Sequence, residues 1–471
     1  MAMLNGWKKQ CAVLIVCAAT GIAAAAQTYD TLHNFTGQDG ANPYSGLVQG
    51  PDGNLYGTTI DGGTYGGGNV IRITPGGEVT SLYDFCAQSN CADGQYPVST
   101  LTLGTDGNFY GTTQNGGTYN YGSVFKISLS GALTTLHSFN IVDGVSPYGT
   151  LLLASDGNFY GTANEAGTCT AGGCGTVFRI SADGSFTTLH DFCLEAGCPD
   201  GEFPVGGLVE GSDGILYGTT NAGGNSACPG GGCGTIYSIT LSGAFTTVHR
   251  FNNDDGAYPA PALIEVRKGL FYGTTAGGGT NRDGTVFSIT SKGALTTVHN
   301  FTGADGFSPF VLIAGSDGEL YGTTLGGGTD SAGTVFKITL NGTLTTVHSF
   351  AEHFYYYFGG LTQGTDGKFY GTTYFGGPAD DGTIYSVSEG LKPTVKVQPS
   401  AAKEGATVSI LGNNLSKVTS VLFNGVPGTF QIVSDTLISA TVPAGASTGR
   451  LEVVGQHHSV RSNVPFLVIT E

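Results

Sequence analysis

An all-β chain is the fold class the sequence predicts: a seven-bladed β-propeller closed by its own N-terminal strand, followed by a small β-sandwich. Three observations predict it. The triplet Tyr-Gly-Thr begins at Tyr56, Tyr110, Tyr160, Tyr217, Tyr272, Tyr321 and Tyr370, at intervals of 49 to 57 residues, a period that points to stacked supersecondary units. Each unit divides into four strand-sized pieces separated by tight-turn signals. The outermost piece is missing from the last unit, and a copy of it stands alone at the N-terminus.

In chain order, the first 26 residues carry Lys8 and Lys9, an apolar run from Cys11 to Ala26 and a small-residue end, "AAAAQ". These are the three zones of a secretory signal peptide, with cleavage expected after Ala26. The run is shorter than the about 20 residues a membrane-crossing helix needs, so export and release are expected, to the cell exterior. Cleavage removes two of the 18 basic residues and none of the 35 acidic ones, leaving 16 − 35 = −19. That balance excludes nucleic acid and anionic membrane surfaces as natural partners. It also removes Trp7, the single tryptophan, so any aromatic platform must be built from Tyr and Phe.

The next segment, "TYDTLHNF" (Thr28 to Phe35), matches the ends of later units, such as "TTLHSF" and "TTVHNF". A clean unit runs from Leu312 to Phe350. Its pieces are an apolar one ending near Gly315, then "ELYGTT", "GTVFKIT" and "LTTVHSF", with "SDG" joining the first pair and "LNG" the last. Alternation and β-branched or aromatic enrichment favour strand over helix in each. After "GTIYSVSEG" (Gly382 to Gly390) no outer piece follows. "TYDTLHNF" supplies it, which removes an edge that would otherwise stay open. The propeller therefore spans 27–390, and 391–471 form a separate sandwich.

In a propeller the strand 1–2 and 3–4 hairpins share one end and are short here. The 2–3 loops and the unit-to-unit connections share the other end and vary, which is where binding is expected. Eight cysteines fall in those variable loops as four C-x4-C pairs: Cys86 with Cys91, Cys169 with Cys174, Cys193 with Cys198, and Cys228 with Cys233. Local disulfides are expected in an exported chain. Zinc is the alternative, against which the glycine-rich loops offer no histidine.

His33, His137, His190, His249, His299 and His348 occupy one slot of the outer strand, with Tyr83 in the remaining copy. A residue that recurs with the period, and that tyrosine replaces, is expected to be structural, bonding a threonine of "YGTT" next door. "DGxxP" begins at Asp39, Asp93, Asp143, Asp200, Asp255 and Asp305. It reads as a turn in which Asp accepts backbone hydrogens and Pro fixes the next strand. No metal or cofactor is expected, apart from weak Ca2+ binding by this set of carboxylates.

The sharpest break is "FAEHFYYYFGGL" (Phe350 to Leu361), which loses "DGxxP" and gains His353, Tyr355, Tyr356 and Tyr357. Tyr65, Tyr119 and Tyr121 belong to loops expected at the same end. Tyrosines that show a ring and a hydroxyl suit sugar or peptide recognition.

The wording "DGNLYGTT…GTVFKI…LTTLHxF", from Thr28 to about Gly390, resembles the GloVer (Gloeo/Verruco) tandem-repeat family of secreted bacterial proteins. "PDGNLYG" (Pro51 to Gly57) is also similar to NHL and gluconolactonase-type propellers. "VSILGNNL", "VLFNGVPGTF" and "ATVPAGASTG" between Lys392 and Val454 resemble the IPT/TIG immunoglobulin-like domain, which implies a spacer or docking piece whose loss would leave the propeller's melting nearly unchanged. The repeat family is defined by its repeat and not by an activity; the variable loops and their tyrosines lead to the expectation of a monomeric, noncatalytic binding or adhesion module for carbohydrate or an extracellular protein. The alternative is a polysaccharide hydrolase or lyase with acid, base or metal groups around a central channel. For it the candidates are Glu165, Glu210, Glu265 and Glu352, since neither G-x-S-x-G nor H-E-x-x-H is present.

Overall fold

A computed structural model describes residues 27–169, 174–224, 228, 232–260, 263–351, 359–456 and 459–469. The first 26 residues, where a signal peptide is expected, lie outside them. The described residues form strands and two short 3-10 turns, with no α-helix.

Seven antiparallel sheets follow one another: I (Val48–Asp84), II (Thr102–Ser138), III (Val145–Asp191), IV (Val209–Arg250), V (Ala257–Asn300), VI (Phe307–Ser349) and VII (Thr362–Ser388). Within each, strands pair in sequence order, and sheet VII takes Thr28–Asn34 as its fourth strand. Burial falls from the inside outward. "LYGTT" is buried at all five positions, the third strand at four of five, and the outer strand is half-exposed. Glycine in "YGT" serves this packing: a Cβ on Gly218 would lie 2.5 Å from the Tyr237 ring.

The N-terminal strand copies the others in detail. Its register slips between Thr31 and His33, skipping Leu32, as the outer strand of sheet III slips at Leu189 and that of sheet V at Val298. Such a bulge re-aims the following side chain, here the histidine.

Each apolar cluster joins two successive sheets. Tyr56 and Val70 of sheet I pack with Phe109 and Phe125 of sheet II, and so on around the chain. The seventh cluster joins the last sheet to the first: Tyr370 and Ile384 with Leu55, Ile71 and Phe35.

Hydrogen bonds repeat the pattern at the hairpin end. Glu210 accepts from the N–H and hydroxyl of Ser155, and Glu265 from those of Ser212. Gln363 accepts from Ser316 N likewise, but donates its amide N–H to Ser316 Oγ. Between sheets VII and I, Gln49 donates to Thr365 Oγ1 at 2.9 Å and accepts its N–H at 3.0 Å.

The C-terminal unit is a sandwich of two four-stranded sheets around Val408, Ile410, Val421, Phe423, Ile438 and Leu451. It lies on the hairpin end of the repeats. Thr394 N donates to Thr365 O (3.0 Å), Asn413 Nδ2 to Thr365 Oγ1 (2.8 Å), Thr436 Oγ1 to Pro51 O (2.5 Å) and Arg450 to Ser316 O (3.4 Å). Leu411 is buried in the cluster of sheets I and II, with Leu437 packed against it. These contacts do not fit a mere spacer. The Lys396 amine donates to Thr362 Oγ1 at 3.0 Å across this junction, and burial lowers its pKa to about 8.

Candidate functional site

With the sandwich on the hairpin end, the opposite end, built from the 2–3 loops and the connections between sheets, is the one to examine. Its frame is the "DGxxP" turn. Asp Oδ1 caps the turn, accepting Thr36 N at Asp39 (2.9 Å), Asn140 N at Asp143 (2.7 Å) and Thr302 N at Asp305 (2.9 Å).

Asp Oδ2 meets the histidine of the preceding outer strand. The pairs are His33–Asp39 (2.7 Å), His137–Asp143 (3.1 Å), His190–Asp200 (3.0 Å), His249–Asp255 (3.0 Å) and His299–Asp305 (2.8 Å). Tyr83 donates to Asp93 at 2.8 Å in the sheet that lacks histidine. The partner is thus the following aspartate and not the threonine expected from sequence. Burial pushes the Asp39 and Asp305 carboxyls upward, but the bonds from Thr36 or Thr302 and from histidine outweigh it and hold both below the usual range. Carboxylate oxygens occupied in this way have little left for Ca2+.

His348 precedes the connection that lacks "DGxxP". Its ring stacks on Tyr29 (4.0 Å) of the N-terminal strand, as His137 stacks on Phe186 and His190 on Phe245 (3.9 Å each). Burial lowers its pKa. The threonines of "YGTT" are used elsewhere. The second bonds the start of the third strand, as in Thr275–Thr285 (2.8 Å). The first often reaches the next sheet, as Thr219 does to Ala260 O (3.1 Å).

The residue before each proline, at Asn42, Tyr96, Ser146, Phe203, Tyr258 and Ser308, has φ between 51° and 57°. A left-handed residue at all six places is uncommon for side chains of this kind. The residue after proline follows this turn, outside the strands in sheets I and III (Tyr44, Tyr148) and within Phe307–Ala314 in sheet VI (Phe310). In sheets I, III and VI that residue is aromatic. Tyr44 meets Tyr148 edge to face at 5.6 Å, Phe310 at 6.2 Å and, from sheet VII, Tyr374 at 6.3 Å. Sheets I, III and VI are not neighbours in the packing order, so these rings meet across the interior of the arrangement. The four are half-buried.

This cluster escaped the sequence reading. The signal was present in the residues after proline, which run Tyr44, Val98, Tyr148, Val205, Ala260 and Phe310. Of the tyrosines that were singled out, Tyr65 and Tyr119 are 57% and 58% exposed, while Tyr121 packs against the core of sheets II and III. His353, Tyr355, Tyr356 and Tyr357 lie outside the described residues, as does Glu352. All four C-x4-C pairs are disulfides. Cys193, Cys198 and Glu202 come within metal-ligand distance of one another, but the two sulfurs are bonded to each other.

The three described glutamates of that set, Glu165, Glu210 and Glu265, do not converge. Glu210 and Glu265 are clamped at the hairpin end, whereas Glu165 is exposed at the loop end of its strand. Burial raises the Glu210 carboxyl, against the bonds from Ser155.

Fold and sequence together define an all-β, propeller-like repeat protein with an immunoglobulin-like C-terminal domain. The Gloeobacter/Verrucomicrobia repeat model matches residues 20–231 and 225–413, and the chain belongs to that family. The IPT/TIG domain model matches residues 394–467. No curated protein matches. Among solved structures, a streptogramin B lyase is similar at 16% identity and a TM-score of 0.53, over 77% of this chain and 97% of that one. The extracellular domain of a hybrid two-component system of B. thetaiotaomicron is similar at 10% identity and a TM-score of 0.51, over 93% of this chain and 57% of that one. At these identities the likeness speaks for fold alone. No helix among the described residues is long and apolar enough to cross a membrane.

Proposed function

We propose that the repeats form a seven-bladed propeller closed by Thr28–Asn34, and that the protein is an exported, noncatalytic binding module. In this reading it takes carbohydrate or an extracellular protein at the loop end. The observation that carries the reading is the cluster of Tyr44, Tyr148, Phe310 and Tyr374, donated by four sheets at the end the sandwich leaves uncovered. Rings carried on or directly beside the strands of a packed scaffold offer an amphipathic surface at low entropic cost. The recurring histidines and aspartates hold the frame, and the four disulfides fit an extracellular setting.

The test is a glycan array with the full chain and with Tyr44→Ala and Tyr148→Ala. Specific binding that falls at least ten-fold in the variants supports the reading. Unchanged binding removes the cluster, and release of shortened glycan turns the reading toward a hydrolase or lyase.

A further inference from the structure

Six of the seven strand 1–2 hairpins carry Asp-Gly, and in each the aspartate accepts the hydroxyl of the "YGT" tyrosine at 2.7 to 2.9 Å. Sheet V breaks the rule with Arg267-Lys268-Gly269. Arg267 stands where sheet IV has Ser212, and Lys268 where it has Asp213. Tyr272, deprived of its aspartate, donates instead to Leu340 O at 3.0 Å. One repeat has therefore lost a structural carboxylate and gained two cations, in a chain with only 18 basic residues against 35 acidic ones.

The exchange falls where the sandwich leaves a cavity of about 530 Å³ against this hairpin. Arg267, Lys268 and Glu265 line one wall, and Ser447, Thr448 and Leu467 belong to the other. Among the described residues no salt bridge involves Arg267 or Lys268. Glu265 is already satisfied by Ser212 N (2.8 Å), Ser212 Oγ (2.8 Å) and Gly269 N (2.6 Å). Counting these three ionic groups, +2 − 1 leaves the cleft with a single positive charge. Ser447 Oγ accepts from Asn424 Nδ2 at 2.9 Å, which leaves its own hydrogen to give.

From this geometry we infer that the cleft binds an acidic sugar. The carboxylate pairs with Arg267 and Lys268, the sugar hydroxyls meet Ser447 and Thr448, and the apolar face of the ring lies toward Leu467. An arginine fork suits a planar carboxylate, one net positive charge matches one uronate, and the volume is that of a small-ligand site. The site is at the opposite end from the tyrosine cluster and stands or falls independently of it.

The test is calorimetric titration of the full chain with digalacturonate at low salt, beside its neutral methyl ester and inorganic phosphate. Saturable binding of the acid is expected, weakening with salt and at least ten-fold weaker for the ester. R267S/K268D restores the Ser-Asp-Gly of sheet IV and gives Tyr272 an aspartate, so it should fold, and it should lose at least ten-fold in affinity. R267Q/K268Q serves if that variant melts early, with the same loss expected. Tyr44→Ala should bind digalacturonate normally. Absence of binding by the unaltered chain, equal binding by the charge variants, or full displacement by phosphate at the same concentration would each overturn the inference.

Discussion

If the N-terminal segment is a full member of the seventh sheet, its core residue must be worth as much as the same residue elsewhere. Phe35 and Phe301 occupy equivalent places just after an outer strand, and both are 0% exposed. Phe35 packs with Leu47, Leu55, Ile71 and Tyr370, and Phe301 with Val286, Leu312 and Phe336. Truncating a buried phenylalanine to alanine costs about 3–5 kcal/mol, provided the site is intact in the native state. Phe35→Ala and Phe301→Ala should therefore destabilise alike, to within about 1 kcal/mol.

The alternative makes a different prediction. A chain end that frays open in the native state has already lost its packing, and Phe35→Ala would then cost well under 1 kcal/mol. Urea unfolding separates the two cases. With an m-value on the order of 3–5 kcal/mol/M for so large a unit, each midpoint should fall by about 1 M. A large shift for Phe301→Ala beside a negligible one for Phe35→Ala would refute closure by the N-terminal strand. The backbone gives an independent reason to expect parity: a Cβ on Gly77, at φ 90°, would sit 2.4 Å from Leu32 O. Gly77→Ala should thus destabilise as Gly342→Ala does, whose Cβ would meet Val298 O at 2.4 Å.

Glu210→Gln should hold or raise the melting temperature, since Gln49 and Gln363 hold the equivalent hairpin with the hydroxyl bond reversed, the amide donating. The Glu210 pKa is raised by burial, so its ionised form costs stability once pH climbs through that raised value; a melting scan at pH 7 checks this, and loss of folding would refute the clamp. Asp39 and Asp305, held low, contribute stability above about pH 4 that is lost as pH falls through their lowered values; Asp305→Asn should flatten that part of an acid titration followed by near-UV circular dichroism. Truncation after Glu389 should lower the urea midpoint of the repeats, because it uncovers the partners of Leu411 and Leu437. Docking of the sandwich should tighten as pH rises from about 8 toward the ordinary lysine value, since Lys396 binds fewer protons when docked; limited proteolysis of the junction at pH 7 and 9.5 reads this, and Lys396→Met should abolish the difference.

The architecture was legible because the repeat writes it seven times. A tyrosine, a glycine and two threonines at fixed places define the inner strand, and the orphaned "TYDTLHNF" named its partner by being the one piece without a unit. Less legible was anything that depends on where a periodic side chain points. The histidine slot was visible, but its partner lies six residues on, or ten in sheet III, through a bulge that only the backbone register reveals. Glu210 and Glu265 looked like interruptions with chemical potential, yet each reaches back to the preceding hairpin, a contact between sheets that no local pattern contains. The sandwich resembled a familiar module, while its seat on the hairpin end rests on scattered groups, among them Thr365, Pro51 and Ser316.

The same contrast separates scaffold from site. A residue present in nearly every repeat solves a problem that every repeat has: capping a turn, orienting an outer strand or locking one sheet to the next. Its side chain is then already bonded, as the histidine–aspartate pairs are. A ligand breaks the symmetry, because one molecule cannot meet seven equal surfaces with equal contacts, so recognition must fall where the repeat changes. Two such changes stand at opposite ends of the repeats. At the loop end, residues after proline become aromatic in sheets I, III and VI and meet across the interior. At the hairpin end, one aspartate gives way to Arg267-Lys268 beside the sandwich. Replacing either with what other repeats carry, Tyr44→Val as in sheets II and IV and R267S/K268D as in sheet IV, keeps the scaffold's solution and deletes only the departure. Both variants should melt near the unaltered protein while losing their respective ligands.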